Sequence, residues 1–455
     1  MLTHNQLPYT KKCIESIRKN TSSLHYELIV VDNASNDGTL DYLNEQTDLR
    51  VISNQENVGY SKANNQGVKI AVGDVIVFLN NDTVVTQGWL QSLVSALYSK
   101  EKIAMVGPVT NNDNINGIQK IKVHYNQDTL EGLSEFSESH CAQHANRNKK
   151  VLRLVGFALA CKKEVLNKIG LFDEAFGIGN FEDDDLCLRM LIKGYELRIV
   201  QDCFVHHFGS ITFKNKDIDF AKLMENNKIV FKKKWGFDAH YFINPRLDLI
   251  SLVPESISRI LDIGCGMGAM ALELMNQRSC EVVGIEKHNL AFHFAKQHLD
   301  QVFHEDIETI ELSEEKLGTF DCIICADILQ HLKDPWNIVK NLVKLLNENG
   351  YLIVSIPNVS NLEIIAGLLQ GNFSYNTSEI LNQKHLRFFT YTSLPFLFPQ
   401  EMVIENVTSI NTNVTERGIE LLKELKALGE KYGLNTNQLK ATTYKFIVKT
   451  RKRSH

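Results

Sequence analysis

No apolar run in the sequence approaches the roughly 18 consecutive residues that mark a membrane-spanning helix, so a helical membrane anchor is not expected. The opening residues, Met1 to Pro8, have no charged stretch leading into an apolar one and do not read as a secretory signal. Positive charge is not in excess: 49 Lys and Arg stand against 54 Asp and Glu, a formal net charge of −5. That balance disfavours a nucleic-acid binder whose affinity rests on a broad basic field. Internal repeats and low-complexity tracts are lacking. The nine cysteines are scattered through apolar segments, as reduced thiols of a cytoplasmic protein would be, and no second cysteine or histidine pair joins the one C-x-x-C at ligand spacing. Cys322 and Cys325 form a C-x-x-C, but inside the apolar run Phe320–Cys325, where a core strand is the better reading than a redox or zinc site.

What remains is an ordinary globular composition, 44% hydrophobic and 23% charged over 455 residues. At about 150 residues per domain this predicts two to three domains. Short apolar runs alternate with helical patterns, the signature of α/β architecture. Strands are expected at Glu27–Val31, Val51–Ser53, Asp74–Leu79, Ala104–Pro108 and Leu197–Val200. A second series falls at Arg259–Ile263, Glu281–Ile285, Phe320–Cys325, Tyr351–Ile356, Met402–Ile410 and Thr442–Lys449. Between the two lies a basic-aromatic stretch from Phe231 to Phe237, giving domains at 1–237 and 256–455 with a linker at 238–255. Its Lys232–Lys234 run reads as a solvated helix end, with contact to an anionic membrane surface as the alternative. The first domain begins at the loop that would follow an opening buried strand, so that strand is expected to be missing.

Three clusters carry the chemistry of the first half. Asp32 ends a strand, where a carboxylate can accept hydrogen bonds from a base or ribose; an Asx-turn is the plainer alternative. Asn80-Asn81-Asp82 follows the next strand, where a carboxylate can hold Mg²⁺ or Mn²⁺ against a diphosphate. Glu182-Asp183-Asp184-Asp185 then opens a helix, placing more charge there than the helix dipole requires. His206-His207 follows a later strand.

These stretches, with Leu2–Gln6 and Asn57–Asn65, occur in the order of the family 2 glycosyltransferases, which the chain resembles over about residues 2–235. The resemblance implies a GT-A fold, here without its first strand, and inverting, metal-assisted transfer from a nucleotide sugar. It places Thr3 and Asp32 by the base and carries Asn33, Asn64 and Asn80 to the nucleotide-sugar side. Asp82 would bind the metal, His206 would touch metal or diphosphate, and Asp183, with Glu182 beside it, would be the catalytic base.

In the second half Asp262-Ile-Gly264-Cys-Gly266-Met-Gly268-Ala269 is a strand running into a glycine turn and a helix. Glu286 ends the next strand 22 residues after Gly264, where an acid binds ribose hydroxyls. A nicotinamide cofactor also suits the glycine spacing, but Asp262 would repel its pyrophosphate. S-adenosylmethionine carries a sulfonium and an ammonium and no phosphate, which suits an acidic lip. Residues 256–449 resemble class I methyltransferases, near the ubiquinone-pathway and sugar O-methyltransferases, through this turn and through Glu286, Asp306, Asp327–Pro335, Gly350–Asn358 and His385–Thr390. The resemblance implies a Rossmann-like fold in which Asp262, Gly264, Gly266 and Gly268 hold the amino-acid end of the cofactor. Glu286 would take the ribose, Asp306 and Ile307 the adenine, and Asp327 would lie on the cofactor side. His331 is a candidate base for an acceptor hydroxyl, or a structural histidine before the helix Pro335–Leu346. The apolar stripe of Glu416–Tyr432 is expected to be core.

Together these readings give a two-domain α/β enzyme that transfers a sugar to a glycan or lipid-linked acceptor and methylates a sugar hydroxyl in surface polysaccharide biosynthesis. The alternative is a methyltransferase whose first half is a non-catalytic glycan-binding module.

Overall fold

The computed structural model describes residues 1–21, 24–112, 117–209, 219–239, 243–376 and 380–454. Its contacts divide the chain into Met1–Asn244 and Pro245–His455. Ser210, the last residue of the His-His-Phe-Gly-Ser motif, lies outside the described residues.

In the first unit β1 (Leu2–Thr3), β2 (Leu28–Asn33) and β3 (Leu49–Asn54) make a parallel three-stranded sheet. The opening strand expected to be missing is thus represented by two residues, paired Leu2 with Val31 and Thr3 with Asp32. A second sheet joins β4 (Val75–Leu79), β5 (Thr83–Val85), β6 (Ile103–Val109), β8 (Ala158–Lys162) and β9 (Glu196–His207) in the order β4-β8-β6-β9-β5. The strand β7 (Asn148–Val151) pairs with β9. A parallel bridge from Leu2 to Asn80 links the two sheets. The acids of the sequence motifs therefore gather at strand ends: Asp32 within the last turn of β2, Asp82 between β4 and β5, and the histidines at the end of β9.

The second unit is one seven-stranded sheet built from β10 (Arg259–Ile263), β11 (Glu281–Ile285), β12 (Gln301–Phe303), β13 (Phe320–Ala326), β14 (Leu346–Pro357), β15 (Met402–Asn411) and β16 (Thr443–Lys452). Its order is β12-β11-β10-β13-β14-β16-β15. β16 runs antiparallel to both of its neighbours, and the pairs from β12 to β14 are parallel. Strand order reverses between β10 and β13, and ligands of open α/β sheets sit in the crevice outside such a point. Cys322 and Cys325 lie on β13 as buried free thiols. Leu249, Ile250 and Val253 pack into the core of this unit.

One expectation fails. The helix Glu416–Tyr432 is not core: Gly429 is its only buried residue, and Ile419 and Leu428 are about half exposed. Its stripe is covered only in part, with Leu421, Leu422 and Leu425 half-buried.

Candidate active sites

The acidic cluster of the first unit is sorted by its partners. Asp184 is gripped by the buried Arg153, and Asp185 by Arg189 (2.8 Å), Lys234 (2.7 Å) and the Trp235 indole N–H (2.9 Å). Among the described residues Glu182 and Asp183 have no ion pair of their own. Both are buried, and Glu182 Oε2 has no hydrogen-bond partner. Asp183 accepts only backbone N–H groups, from Gly156 (2.9 Å) and Asp184 (2.9 Å). Burial, then the neighbouring Asp184 charge, pushes the Asp183 carboxyl above its ordinary range; burial, then Asp183, does the same to Glu182. A carboxylate so placed is poised to accept a proton. Capping explains little here, since the residue before the helix, Phe181, is left-handed and offers no side-chain cap.

Two loops close on this helix. Gly59 stands at φ +87°, and a Cβ there would lie 2.2 Å from the Gly177 carbonyl oxygen, so only glycine fits. Tyr60 donates its N–H to Ile178 O (3.2 Å) and its hydroxyl to Gly156 O (2.8 Å), the residue whose N–H meets Asp183. Asn64 donates to Tyr60 O (3.0 Å). Tyr60 and Gly156 were not legible as site residues; only proximity in the fold joins them to Asp183.

Asp32 is fully buried with Oδ1 unpartnered, while Oδ2 accepts from Ser35 N–H (3.0 Å). The orphaned oxygen suits a base N–H. Thr3 Oγ1 lies 3.1 Å from Thr10 Oγ1, and Asn81 donates to both hydroxyls. Asn81 thus ties the D-x-D loop to β1. Asn33 is committed to the scaffold: its amide joins Asn54, Asn57 and Val58. Asn80 contributes its backbone, which accepts from Thr83 and donates to Phe157 O.

Asp82 is buried, and His207 Nε2 lies 3.3 Å from its Oδ1. Of the two adjacent histidines, His207 is thus the one with a ring nitrogen against the Asp82 carboxylate. His206 is fully buried, with Nδ1 2.6 Å from the Tyr125 hydroxyl and Nε2 without a partner. Burial, then His207, lowers its pKa to about 4, so the ring is neutral and able to offer a lone pair. Asp82 and neutral His206 are donors that fit a divalent cation. Among the described residues no three His, Cys, Asp or Glu side chains form a complete metal cage; a diphosphate would have to supply the remaining oxygens.

The glycine turn of the second unit is built around two acids. Gly264, Gly266 and Gly268 stand at φ +70°, +56° and +84°. A Cβ on Gly268 would lie 2.5 Å from Leu299 Cδ1. Glu286 accepts from Gly266 N–H (2.9 Å) and His288 N–H (2.7 Å), pinning the turn to the end of β11. Asp262 is buried, and among the described residues neither carboxylate oxygen has a hydrogen-bond partner. Burial, then the Glu286 charge, raises its pKa to about 7. An unsatisfied acid with no cation of its own fits a positively charged ligand, as the ammonium and sulfonium of S-adenosylmethionine provide.

Asp306 lies 3.4 Å from Lys287 Nζ and accepts from Glu308 N–H (3.1 Å), and Ile307 is buried. Asp327, at φ +55°, is held by Arg246, Lys445 (2.6 Å) and Ser355 Oγ (2.9 Å). Against the burial that would raise it, Lys445 and Arg246 keep this carboxyl below its ordinary range. Asp327 is thus an ion-paired strut at the end of β13. His331 closes the short helix Leu329–His331, its Nδ1 3.1 Å from Lys384 O and its ring edge-to-face with His385 at 4.8 Å. Burial, then His385, lowers its pKa.

Residues 1–170 match the family model for glycosyl transferase family 2, and residues 236–400 that for a methyltransferase domain. The chain therefore carries a domain matching glycosyl transferase family 2, followed by one matching a methyltransferase domain on a Rossmann-like sheet. The first match takes in Thr3, Asp32 and Asp82; Glu182, Asp183 and His206 lie beyond it. Among curated proteins the second half is similar to the ubiquinone biosynthesis O-methyltransferase of Alkalilimnicola ehrlichii, 34% identical over 138 residues, which is 29% of this chain and 56% of that protein. The same enzyme of Acinetobacter baylyi is 30% identical over 105 residues, 22% of this chain and 44% of that one. The chain spans about half the length of the curated relatives it matches. Among solved structures GalNAc-T7 with UDP, GalNAc and Mn²⁺ aligns with 45% of this chain and 42% of its own, at 18% identity and a TM-score of 0.36. A putative S-adenosylmethionine-dependent methyltransferase from Listeria monocytogenes aligns with 46% of this chain and 96% of its own, at 14% identity and a TM-score of 0.32.

Proposed function

We infer that the chain is a bifunctional enzyme: the first domain transfers a sugar from a nucleoside-diphosphate donor to a glycan or lipid-linked acceptor with inversion, and the second methylates a sugar hydroxyl. The observation that carries the first activity is the buried Asp183, held by backbone N–H groups alone, beside the cation-neutralised Asp184 and Asp185. Asp183 takes the proton of the acceptor hydroxyl as that oxygen attacks the anomeric carbon. Asp32 and Thr3 hold the base end of the donor, and Asp82 with His206 holds a divalent cation. When bound, Mn²⁺ or Mg²⁺ supplies positive charge for the departing diphosphate.

In the second domain Asp262 faces the charged amino-acid end of the methyl donor, Glu286 the ribose, and Asp306 with Ile307 the adenine. S-adenosylmethionine, when bound, supplies an activated methyl group; His331, kept neutral, receives the acceptor proton. Both activities acting on one surface polysaccharide, at the cytoplasmic face of the membrane, is the simplest use of the fusion. Among the described residues no helix is long and apolar enough to cross a membrane.

The test is Mn²⁺-dependent turnover of a nucleotide-sugar panel by the full chain, with Asp183→Asn as control. Turnover of one donor, lost in the variant, supports the reading. If no donor turns over while S-adenosylmethionine still binds, the first domain is a glycan-docking module. Loss of methyl groups from surface glycan in a strain lacking the protein tests the shared product.

A further inference from the structure

One face of the helix Phe220–Trp235 lies against the chain that leads into Glu182. Asn227, Phe231 and Lys234 stand on that face at helical spacing. The Asn227 amide nitrogen donates to the carbonyls of Phe176 (2.8 Å), Gly179 (2.7 Å) and Asn180 (3.1 Å). The Phe231 ring packs on Phe181, with centroids 5.8 Å apart, and Lys234 takes Asp185 one turn further on. Asn227 is 5% exposed, so water does not compete for the three oxygens it serves.

The turn held in this way is strained. Gly179, Asn180 and Phe181 stand at φ +141°, +75° and +73°. Asparagine tolerates the left-handed region, whereas a bulky phenylalanine is an outlier there. The turn's own hydrogen bond, from Gly179 N–H to Phe176 O, is long at 3.3 Å. Three carbonyl oxygens that converge on one point repel one another, and the two N–H donors of Asn227 are the positive group between them. Without that group the turn would relax toward negative φ and rotate Glu182 and Asp183 away from Gly156. We propose that Asn227 is a positioning residue for sugar transfer: it locks the left-handed turn 179–181 and so sets the Asp183 carboxylate for the acceptor hydroxyl. Strain held by its surroundings at such a place is a means of pre-organisation. The inference rests on the reading of Asp183 as the proton acceptor.

The experiment compares the full chain with Asn227→Leu, which keeps the side-chain volume and removes both donors, and with Asn227→Leu combined with Asn180→Gly. Glycine adopts a positive φ without steric cost, so the second change returns by backbone freedom what the first removes. With Mn²⁺ and the nucleotide sugar that the wild type turns over fastest, Asn227→Leu should lower kcat by about 10²-fold and leave KM for the donor unchanged. Hydrogen exchange should quicken at the Gly156 amide, which donates to Asp183 (2.9 Å), and at the Asp185 amide, which donates to Phe181 O (2.9 Å). The double variant should recover most of the kcat and slow both amides again. Unchanged kcat and unchanged exchange in Asn227→Leu would overturn the proposal. So would a loss of kcat that Asn180→Gly does not repair, because Asn227 would then serve packing alone. Should Asn227→Leu not fold by itself, the double variant decides by the same measure. A wild-type chain that turns over no donor would overturn the reading of Asp183 instead, and the exchange at Gly156 and Asp185 would still decide whether Asn227 holds the turn.

Discussion

Asp183 and Asp262 are both buried carboxylates lifted above the usual range, yet their surroundings differ in kind. Around Asp183 the chain supplies its own cations: Arg153 answers Asp184, and Arg189 and Lys234 answer Asp185, so that one acid pair is left to take up a proton. Around Asp262 the nearest charge is another acid, Glu286, and neither oxygen of Asp262 finds a donor. In the first arrangement Asp184 and Asp185 are ion-paired and Asp183 keeps two backbone donors, which suits a group that must gain and lose a proton during turnover. The second is incomplete until a cation arrives. This contrast sets the proposed proton acceptor apart from the proposed cation receptor.

The widest separation between the two sites should come from Arg153. Replacing it by Met leaves Asp184 buried and unpaired, so urea unfolding of the first domain should lose about 3–5 kcal/mol, while Asp262→Leu in the other domain leaves no charge stranded and should not lose stability by that route. Adding Asp184→Leu to Arg153→Met should recover most of the loss; no recovery would mean that packing, not charge, is what Arg153 provides. Next in size is Asp183→Asn, which should slow sugar transfer by about 10³-fold with the unfolding temperature and S-adenosylmethionine affinity held. The wild-type rate should fall as pH drops below neutrality, since the raised Asp183 carboxyl then becomes protonated and can no longer accept the acceptor's proton. A flat profile with full activity in the variant would remove Asp183 from the reaction.

Third is the stability of the ligand-free second domain. Asp262 titrates at about 7 when folded, against an ordinary value of 3.8. Its folded state therefore holds a proton more tightly than its unfolded state, and stability falls as pH rises from about 4 through 7. Asp262→Asn abolishes that loss: at pH 8 the variant should be more stable than wild type by on the order of 4 kcal/mol, and at pH 4 nearly equal. Chemical denaturation at the two pH values measures it, and identical curves for both proteins at pH 8 would show that Asp262 meets solvent or a donor.

The sequence was informative where the signal is local. The apolar runs of β10 and β11, the glycines after β10 and the acids ending both strands are read within some 30 residues, and so is the four-acid helix start. Partnership across the fold was not. Nothing near Asp183 says that Asp184 is neutralised from 31 residues away, or that Lys445 reaches Asp327 across 118 residues. Both are tertiary ion pairs with no periodic trace. The same limit hid the Tyr125 contact to His206 and the His207 contact to Asp82, because adjacent residues of a strand face opposite ways and the sequence does not say which face is the site. The Lys232–Lys234 run shows the converse: it looks like a free basic patch, but Lys234 is occupied by Asp173 and Asp185. The stripe of Glu416–Tyr432 failed for a related reason, since periodicity reports an apolar face and not whether anything covers it.

The smallest effect is also the most direct reading of the contrast. If Asp262 is the receptor for the ammonium of S-adenosylmethionine, the ligand binds its ionised form, and below the free-protein pKa of about 7 each bound ligand must first displace a proton. Affinity should therefore weaken by about tenfold between pH 8 and pH 6, with proton release on binding at pH 6 visible as a buffer-dependent heat in calorimetry. Asp262→Asn should bind more weakly at pH 8 and lose the pH dependence. Glu286→Gln tests the coupling: removing the neighbouring charge lowers the Asp262 pKa, so the weakening should begin at a more acidic pH. A wild-type affinity that stays level from pH 8 to pH 6 would mean that Asp262 keeps its proton or its charge throughout, and the comparison with Asp183 would then rest on burial alone.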